Sequence, residues 1–306
     1  MGARPVYRSP EPGSAGRPPH DPNPRNAVRD RIPCVRFTAA ASKLEELQAW
    51  FGPLSEVVVA YSGGADSTLV AAVAARTLGD RAVAVTAASP SLPPGELSEA
   101  RRVAHLIGVR HRTVRTYETE KPEYLANGPE RCYQCRTELY DVLAMVAEEA
   151  GDAVVVSGTN IDDLADHRPG LRAADERGVR HPLVETGFSK ADVREAARTL
   201  NLPTWDKPAS PCLSSRIAHG VRITVGDLAR VGRAERLLKQ LGFGQCRVRV
   251  HGEIVRIEVE PEDVPRLADP PVRSRVVKAL KGLGYRYVTL DLEGFRSGSM
   301  NPEVAP

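Results

Sequence analysis

The 306-residue chain has no run of about 18 apolar residues, so no part of it reads as a membrane-crossing helix. Its start lacks the apolar stretch of a secretory signal, and Val6 stands where a myristoylated chain carries Ser or Thr. A cytoplasmic protein is expected. Cysteine is sparse and odd in number: Cys34, Cys132, Cys135, Cys212 and Cys246. With no secretion signal, these argue against a disulfide framework and for metal or thiol chemistry at some of them. A strong excess of one charge is also missing. The net charge is +3, and residues 1–36 more than account for it with seven Arg against three acids. The remainder is close to neutral, which weakens sequence-independent attraction to nucleic acid and makes it an unfavoured partner.

What is present is ordinary for a globular protein: 42 % hydrophobic and 26 % charged residues, enough to exclude global disorder. The exception is the start. Residues 1–36 hold eight of the 25 prolines and cannot bury enough apolar surface to offset chain entropy. Residues 1–40 are therefore read as a disordered tail, and 302–306 as a short second one. From Ala41 onward periodicities appear. Leu44, Leu47 and Phe51 fall at helical spacing. Val57–Tyr61 is a continuous apolar run, as expected of a strand buried on both faces of a parallel sheet. Strand-like runs at Ala82–Thr86, His111–Thr116 and Ala153–Ser157 alternate with helical patterns. Residues 41–206 thus read as an α/β domain with a doubly wound parallel sheet. Residues 207–301 read as a smaller α+β domain, with strands at Cys246–His251, Ile254–Val259 and Tyr287–Leu292 and helices around Leu228–Leu241 and Val276–Leu283.

Ser62-Gly63-Gly64-Ala65-Asp66-Ser67 lies between the first strand and the next helix. Glycines let a backbone approach an anion, and a helix start offers free N–H donors. Ser62 and Ser67 add hydroxyls, and Asp66 is placed to hold Mg²⁺. The motif matches neither the P-loop nor the dinucleotide fingerprint; the bland alternative is a plain strand-to-helix turn. A second segment, Gly158–Gly170, carries Asp162, Asp163, Asp166 and Arg168 after an apolar strand, at the sheet edge where α/β folds bind ligands. Its alternative is an acidic helix start. Arg247 and Arg249 are two apart on an expected strand and share a face. They could bind phosphate and carboxylate, or be solvated. Cys132-Tyr-Gln-Cys135 offers two thiolates, but a zinc site needs two further ligands and no second such pair exists. Together with Cys212 the pair gives three thiolates, a set that suits a [4Fe–4S] cluster with one open iron. Cys246 lies among core positions.

The S-G-G-x-D-S motif resembles the PP-loop of the ATP pyrophosphatases, with their adenine nucleotide alpha hydrolase-like fold. Gly158–Gly170, Pro211–Arg216, Arg247–His251, Arg256–Glu258 and Tyr287–Asn301 further resemble the LarE family, over residues 41–301. That family comprises ATP-dependent sulfur transferases that help build the nickel-pincer nucleotide cofactor. The resemblance implies adenylylation of a carboxylate of pyridinium-3,5-biscarboxylic acid mononucleotide, release of pyrophosphate, and displacement of AMP by sulfur. It implies ATP, Mg²⁺ and a [4Fe–4S] cluster held by Cys132, Cys135 and Cys212. It assigns nucleotide binding to Ser62, Gly63, Gly64, Asp66, Ser67, Gly158 and Asp162, and substrate binding to Arg216, Arg247, Arg249, Arg296, Glu235 and Glu258. Cys212, Asp66 and Arg216 are the expected catalytic residues. It also implies a homo-oligomer, a hexamer in particular. Family members without the Cys-x-x-Cys pair sacrifice a cysteine sulfur, so loss of the Cys212 sulfur is the alternative mechanism. Competing functions are a PP-loop tRNA thiolase, a glutamine- or ammonia-using synthetase, and a non-enzymatic nucleotide sensor.

Overall fold

In the computed structural model, residues 39–165 and 169–296 are described. The expectations for the N-terminal tail with Cys34, for Asp166 and Arg168, and for the C-terminal tail lie outside them. Helix α1 (Ala39–Phe51) leads into strand β1 (Val57–Ala60), followed by α2 (Ala65–Leu78), β2 (Ala82–Ala88), α3 (Glu96–Leu106) and β3 (Arg110–Arg115). A short α4 (Pro122–Leu125) and a long α5 (Arg131–Glu149) precede β4 (Val154–Val156), α6 (Pro169–Asp175), α7 (Pro182–Glu185) and α8 (Lys190–Thr199). The strands form one sheet in the order β3-β2-β1-β4, with every pairing parallel.

β1 is the centre because its side chains are apolar on both faces. Val57 and Val59 pack with Leu69, Val73 and Phe188 on one side. Val58 packs with Val85, Leu143 and Val146 of α5 on the other. After β3 the chain crosses back to place β4 on the far side of β1. The strand order therefore reverses between β1 and β4, and a crevice opens outside their carboxyl ends.

The chain continues through α9 (Val225–Gln240), β5 (Cys246–His251), β6 (Ile254–Val259), α10 (Val264–Ala268), α11 (Pro270–Gly282) and β7 (Tyr287–Leu290). β5 and β6 pair antiparallel, β6 and β7 parallel. Alternation divides the sheet's faces. Cys246, Val248, Val250, Val255, Ile257 and Val259 form a buried core with Leu228, Leu238, Val276 and Leu280 of the covering helices. Arg247, Arg249, Arg256 and Glu258 take the opposite face. Both sheets belong to one compact unit. Tyr124 and Leu125 pack into the second core, and the Leu213 amide donates to the Ser91 carbonyl at 2.7 Å. The loop carrying Cys212 is thereby anchored above the first sheet.

Candidate active site

The Ser62–Ser67 loop closes the carboxyl end of β1 and opens α2. Gly63 has φ +70°, and a Cβ there would lie 3.0 Å from Ala100, so only glycine fits. Gly64 occupies the N-cap with no side-chain cap, leaving the first-turn amides without an internal acceptor. Ser62 and Ser67 hydroxyls lie 3.1 Å apart, and Ser67 Oγ donates to the Gly64 carbonyl at 3.3 Å. Gly158, at the end of β4, rests directly on this turn: a Cβ would approach the Ser67 nitrogen to 2.7 Å. The structure thus brings the two predicted segments together across the crevice.

Asp66 projects from the first turn of α2. Its Oδ1 accepts from Asn160 Nδ2 at 3.1 Å and its Oδ2 from Lys190 Nζ at 2.5 Å. The Lys190 ammonium occupies a cation position on a carboxylate, a donor set that also suits Mg²⁺. Asp162 is turned elsewhere: its Oδ2 accepts the Lys190 backbone amide at 2.7 Å and fixes the start of α8. Lys207 donates to the Gly63 carbonyl at 3.1 Å and to Glu96 Oε2 at 2.9 Å. Two lysines therefore stand at the loop, and the sequence reading named neither. A signal for Lys190 existed, because it follows Ser189 in a Ser189–Asp192 capping box that forms as such a motif requires. Lys207, in an irregular loop, had none.

The cysteines converge from α5 and from the loop before residues 213–216. Cys132 is exposed; Cys135 and Cys212 are half-buried. Burial, followed by the neighbouring Cys212, Glu118 and Cys132, pushes the Cys135 thiol up to about 12 against an opposing effect of Arg136. Burial opposes the charge on Arg131, yet Cys212 and Cys132 raise its pKa; Tyr140 first, then the three thiols, raise that of Arg136. Cys135 thus feels both other thiols, and the Arg131 and Arg136 guanidinium groups lie near them. Arg131 Nη1 also donates to Asn127 Oδ1 at 2.7 Å and the Ser214 carbonyl at 3.0 Å, tying α5 to the Cys212 loop. Among the described residues no three His, Cys, Asp or Glu side chains are arranged around a single ion. Three thiols is the number that a [4Fe–4S] cluster with one open iron takes from a protein. Cys246, fully buried, donates weakly to the Glu235 carbonyl at 3.9 Å and is part of the core.

The arginine face of the second sheet meets this loop. Arg216 is 2 % exposed and forms a two-pronged pair with Glu235, at 2.9 and 3.2 Å. Its Nη1 donates to the carbonyls of Pro211 and Cys212 at 2.7 and 3.0 Å, so it braces the cysteine loop against α9. Arg249 pairs with the fully buried Glu258 at 2.9 Å and donates to the Ser215 carbonyl at 3.1 Å. Arg296 is exposed and pairs with Glu293 at 2.7 Å. Arg247 differs from all of these. It is 7 % exposed, donates to the carbonyls of Cys246 and Ala209 at 2.8 and 3.3 Å, and lies over the Phe295 ring at 5.0 Å. No carboxylate pairs with it among the described residues. Burial first, then Arg216 and Arg249, lower its pKa, against the opposing charge of Glu235, which is near it but paired with Arg216.

Residues 55–158 match the asparagine synthase family. An uncharacterized protein of Synechocystis is 50 % identical, over 85 % of this chain and 97 % of its own length. The pyridinium-3,5-bisthiocarboxylic acid mononucleotide synthase of Lactiplantibacillus plantarum is 41 % identical, over 85 % of this chain and 94 % of its own. A tRNA-specific 2-thiouridylase of Azorhizobium caulinodans is 31 % identical, over 66 % of this chain and 59 % of its own. No helix among the described residues is long and apolar enough to cross a membrane. With its PP-loop at the β1–α2 turn and likeness across both sheets, the chain belongs to the LarE family of PP-loop enzymes.

Proposed function

We propose that this chain is a cytoplasmic, ATP-dependent sulfur transferase that converts a carboxylate of pyridinium-3,5-biscarboxylic acid mononucleotide to a thiocarboxylate. Arg247 carries the reading: a buried guanidinium without a carboxylate partner among the described residues, beside the Cys212 loop. Such a charge is stabilised by an anionic ligand, and its fork suits a phosphate. The L. plantarum relative, named for the matching product, supports this choice of acceptor.

In the proposed mechanism the first-turn amides of α2 and the hydroxyls of Ser62 and Ser67 bind the ATP phosphates. Asp66, on yielding Lys190, would hold Mg²⁺, and Lys190 with Lys207 neutralises charge on the leaving pyrophosphate. A substrate carboxylate oxygen attacks the α-phosphorus, and the bond to pyrophosphate breaks. Arg247, Arg249 and Arg296 position the mononucleotide, while Arg216 and Glu235 keep the cysteine loop in place. Sulfur attacks the acyl carbon, and AMP leaves with the former carboxylate oxygen. Cys132, Cys135 and Cys212 would hold a [4Fe–4S] cluster, which when bound would supply a sulfur atom that does not come from the chain itself. Arg131 and Arg136 balance the thiolate charge. The test is anaerobic purification with assay of iron and acid-labile sulfide, beside Cys132→Ser, Cys135→Ser and Cys212→Ser. About four irons per chain, lost in each variant, is expected. No iron after reconstitution overturns the cluster and leaves Cys212 as the sulfur source.

A further inference from the structure

The Gly63–Gly64 peptide is the only one in the phosphate loop with glycine on both sides, so no Cβ limits its rotation. Its orientation matters. In a trans peptide, as here, the carbonyl and the following N–H point in opposite directions. Whatever holds the Gly63 carbonyl therefore decides where the Gly64 N–H faces. Lys207 Nζ donates to that carbonyl at 3.1 Å. On the opposite side the Gly64 N–H is directed at the exposed Ser62, reaching its Oγ only at 3.4 Å. It is a weakly used donor, facing a hydroxyl that reads as a phosphate ligand.

The lysine is itself held. Glu96, the first residue of α3, accepts from Lys207 Nζ on Oε2 at 2.9 Å and from the Ser210 hydroxyl on Oε1 at 3.1 Å. Both side chains of the ion pair are 19 % exposed, so water screens it only in part. Farther along, the Leu213 amide donates to the Ser91 carbonyl at 2.7 Å. Residues 207–213 thus form a strap pinned to α3, to the phosphate loop and to the turn after β2. Without Glu96 a single neutral carbonyl holds the ammonium, and a long flexible side chain gains rotamer freedom by leaving it.

We propose that Glu96 is a positioning residue that clamps Lys207 on the Gly63 carbonyl and so turns the Gly64 N–H to the nucleotide phosphate. The ammonium also polarises the peptide, which strengthens that N–H as a donor. The proposal rests on the nucleotide reading of the loop and gives Lys207 a role beyond the charge it lends the leaving pyrophosphate. Simple electrostatics makes the opposite forecast for Glu96→Ala. A carboxylate beside the loop repels phosphate and occupies an ammonium, so its removal would leave nucleotide binding unchanged or tighter. The clamp predicts weakening. Titration calorimetry with Mg²⁺ and α,β-methylene ATP is expected to show binding at least about tenfold weaker in Glu96→Ala, the worth of one hydrogen bond to a charged group. In a Lys207→Met background the same substitution is expected to cost nothing further, because Glu96 acts through the lysine. A crystal structure of the wild type with this nucleotide is expected to show the Gly64 N–H on a phosphate oxygen and Lys207 still on the Gly63 carbonyl. Unchanged or tighter binding by Glu96→Ala, a loss that persists without Lys207, or Lys207 moved from the carbonyl onto phosphate overturns the proposal. Failure of the wild type to bind nucleotide at all overturns the nucleotide reading itself.

Discussion

Replacing Glu235 by Ala removes the one carboxylate that pairs, among the described residues, with the 2 % exposed guanidinium of Arg216, and it also takes the acceptor from the Val248 amide at 3.2 Å. A buried charge stripped of its partner costs about 3–5 kcal/mol. The orphaned amide costs about 1–3 kcal/mol more if nothing replaces the acceptor. The two losses share one side chain and do not simply add, so a fall of about 4 kcal/mol is expected. At roughly 2–4 °C per kcal/mol for a chain of this size, Tm drops by about 10 °C. Urea unfolding gives the free energy directly. A companion double variant, Arg216→Met with Glu235→Leu, removes both charges and is expected to regain at least half of the loss. A cost below about 1 kcal/mol for Glu235→Ala, or no recovery in the double variant, would refute the view that this pair is a desolvated brace for the cysteine loop.

Other consequences are equally direct. Gly158→Ala forces a methyl to within 2.7 Å of the Ser67 nitrogen; displacement of the α2 turn should weaken nucleotide binding at least tenfold, read by calorimetry. Arg247→Met removes a charge that burial disfavours, so Tm should hold or rise while affinity for the phosphorylated substrate is lost, whereas a merely structural arginine would lower Tm. Asp192 has its pKa lowered from 3.8 to about 2, first by Lys43 and then by Ser189. Its depressed folded value means that it stabilises above the unfolded value and loses this as pH falls from about 4 to 2. Asp192→Asn should flatten the stability profile in that window.

The parallel sheet was legible because β1, β2 and β4 are short apolar runs between helical patterns, β1 most plainly, whereas the edge strand β3 offers only Thr113 and Val114 among charged residues. Helix α8 was not, since its buried side is Val193, Ala196 and Ala197, and alanine writes a faint apolar period. The phosphate loop could be read from local spacing, as strand, glycines and helix start are contiguous. Lys190 and Lys207 could not, because they arrive from 124 and 144 residues away and are placed by the crossing chain. The arginines show the same limit from the other side. Sequence identified Arg216, Arg247 and Arg249 alike, but only packing distinguishes the two that meet a glutamate from the one that does not.

The most direct test of the sulfur-transfer mechanism is multiple turnover with ATP, Mg²⁺, sulfide and pyridinium-3,5-biscarboxylic acid mononucleotide without oxygen, followed by mass spectrometry of both the product and the intact chain. The mechanism predicts AMP, pyrophosphate and thiocarboxylate in equal amounts, exceeding the protein many times over, with the mass of Cys212 unchanged. Product limited to one equivalent, with a chain that has lost the elements of hydrogen sulfide at Cys212, would contradict it.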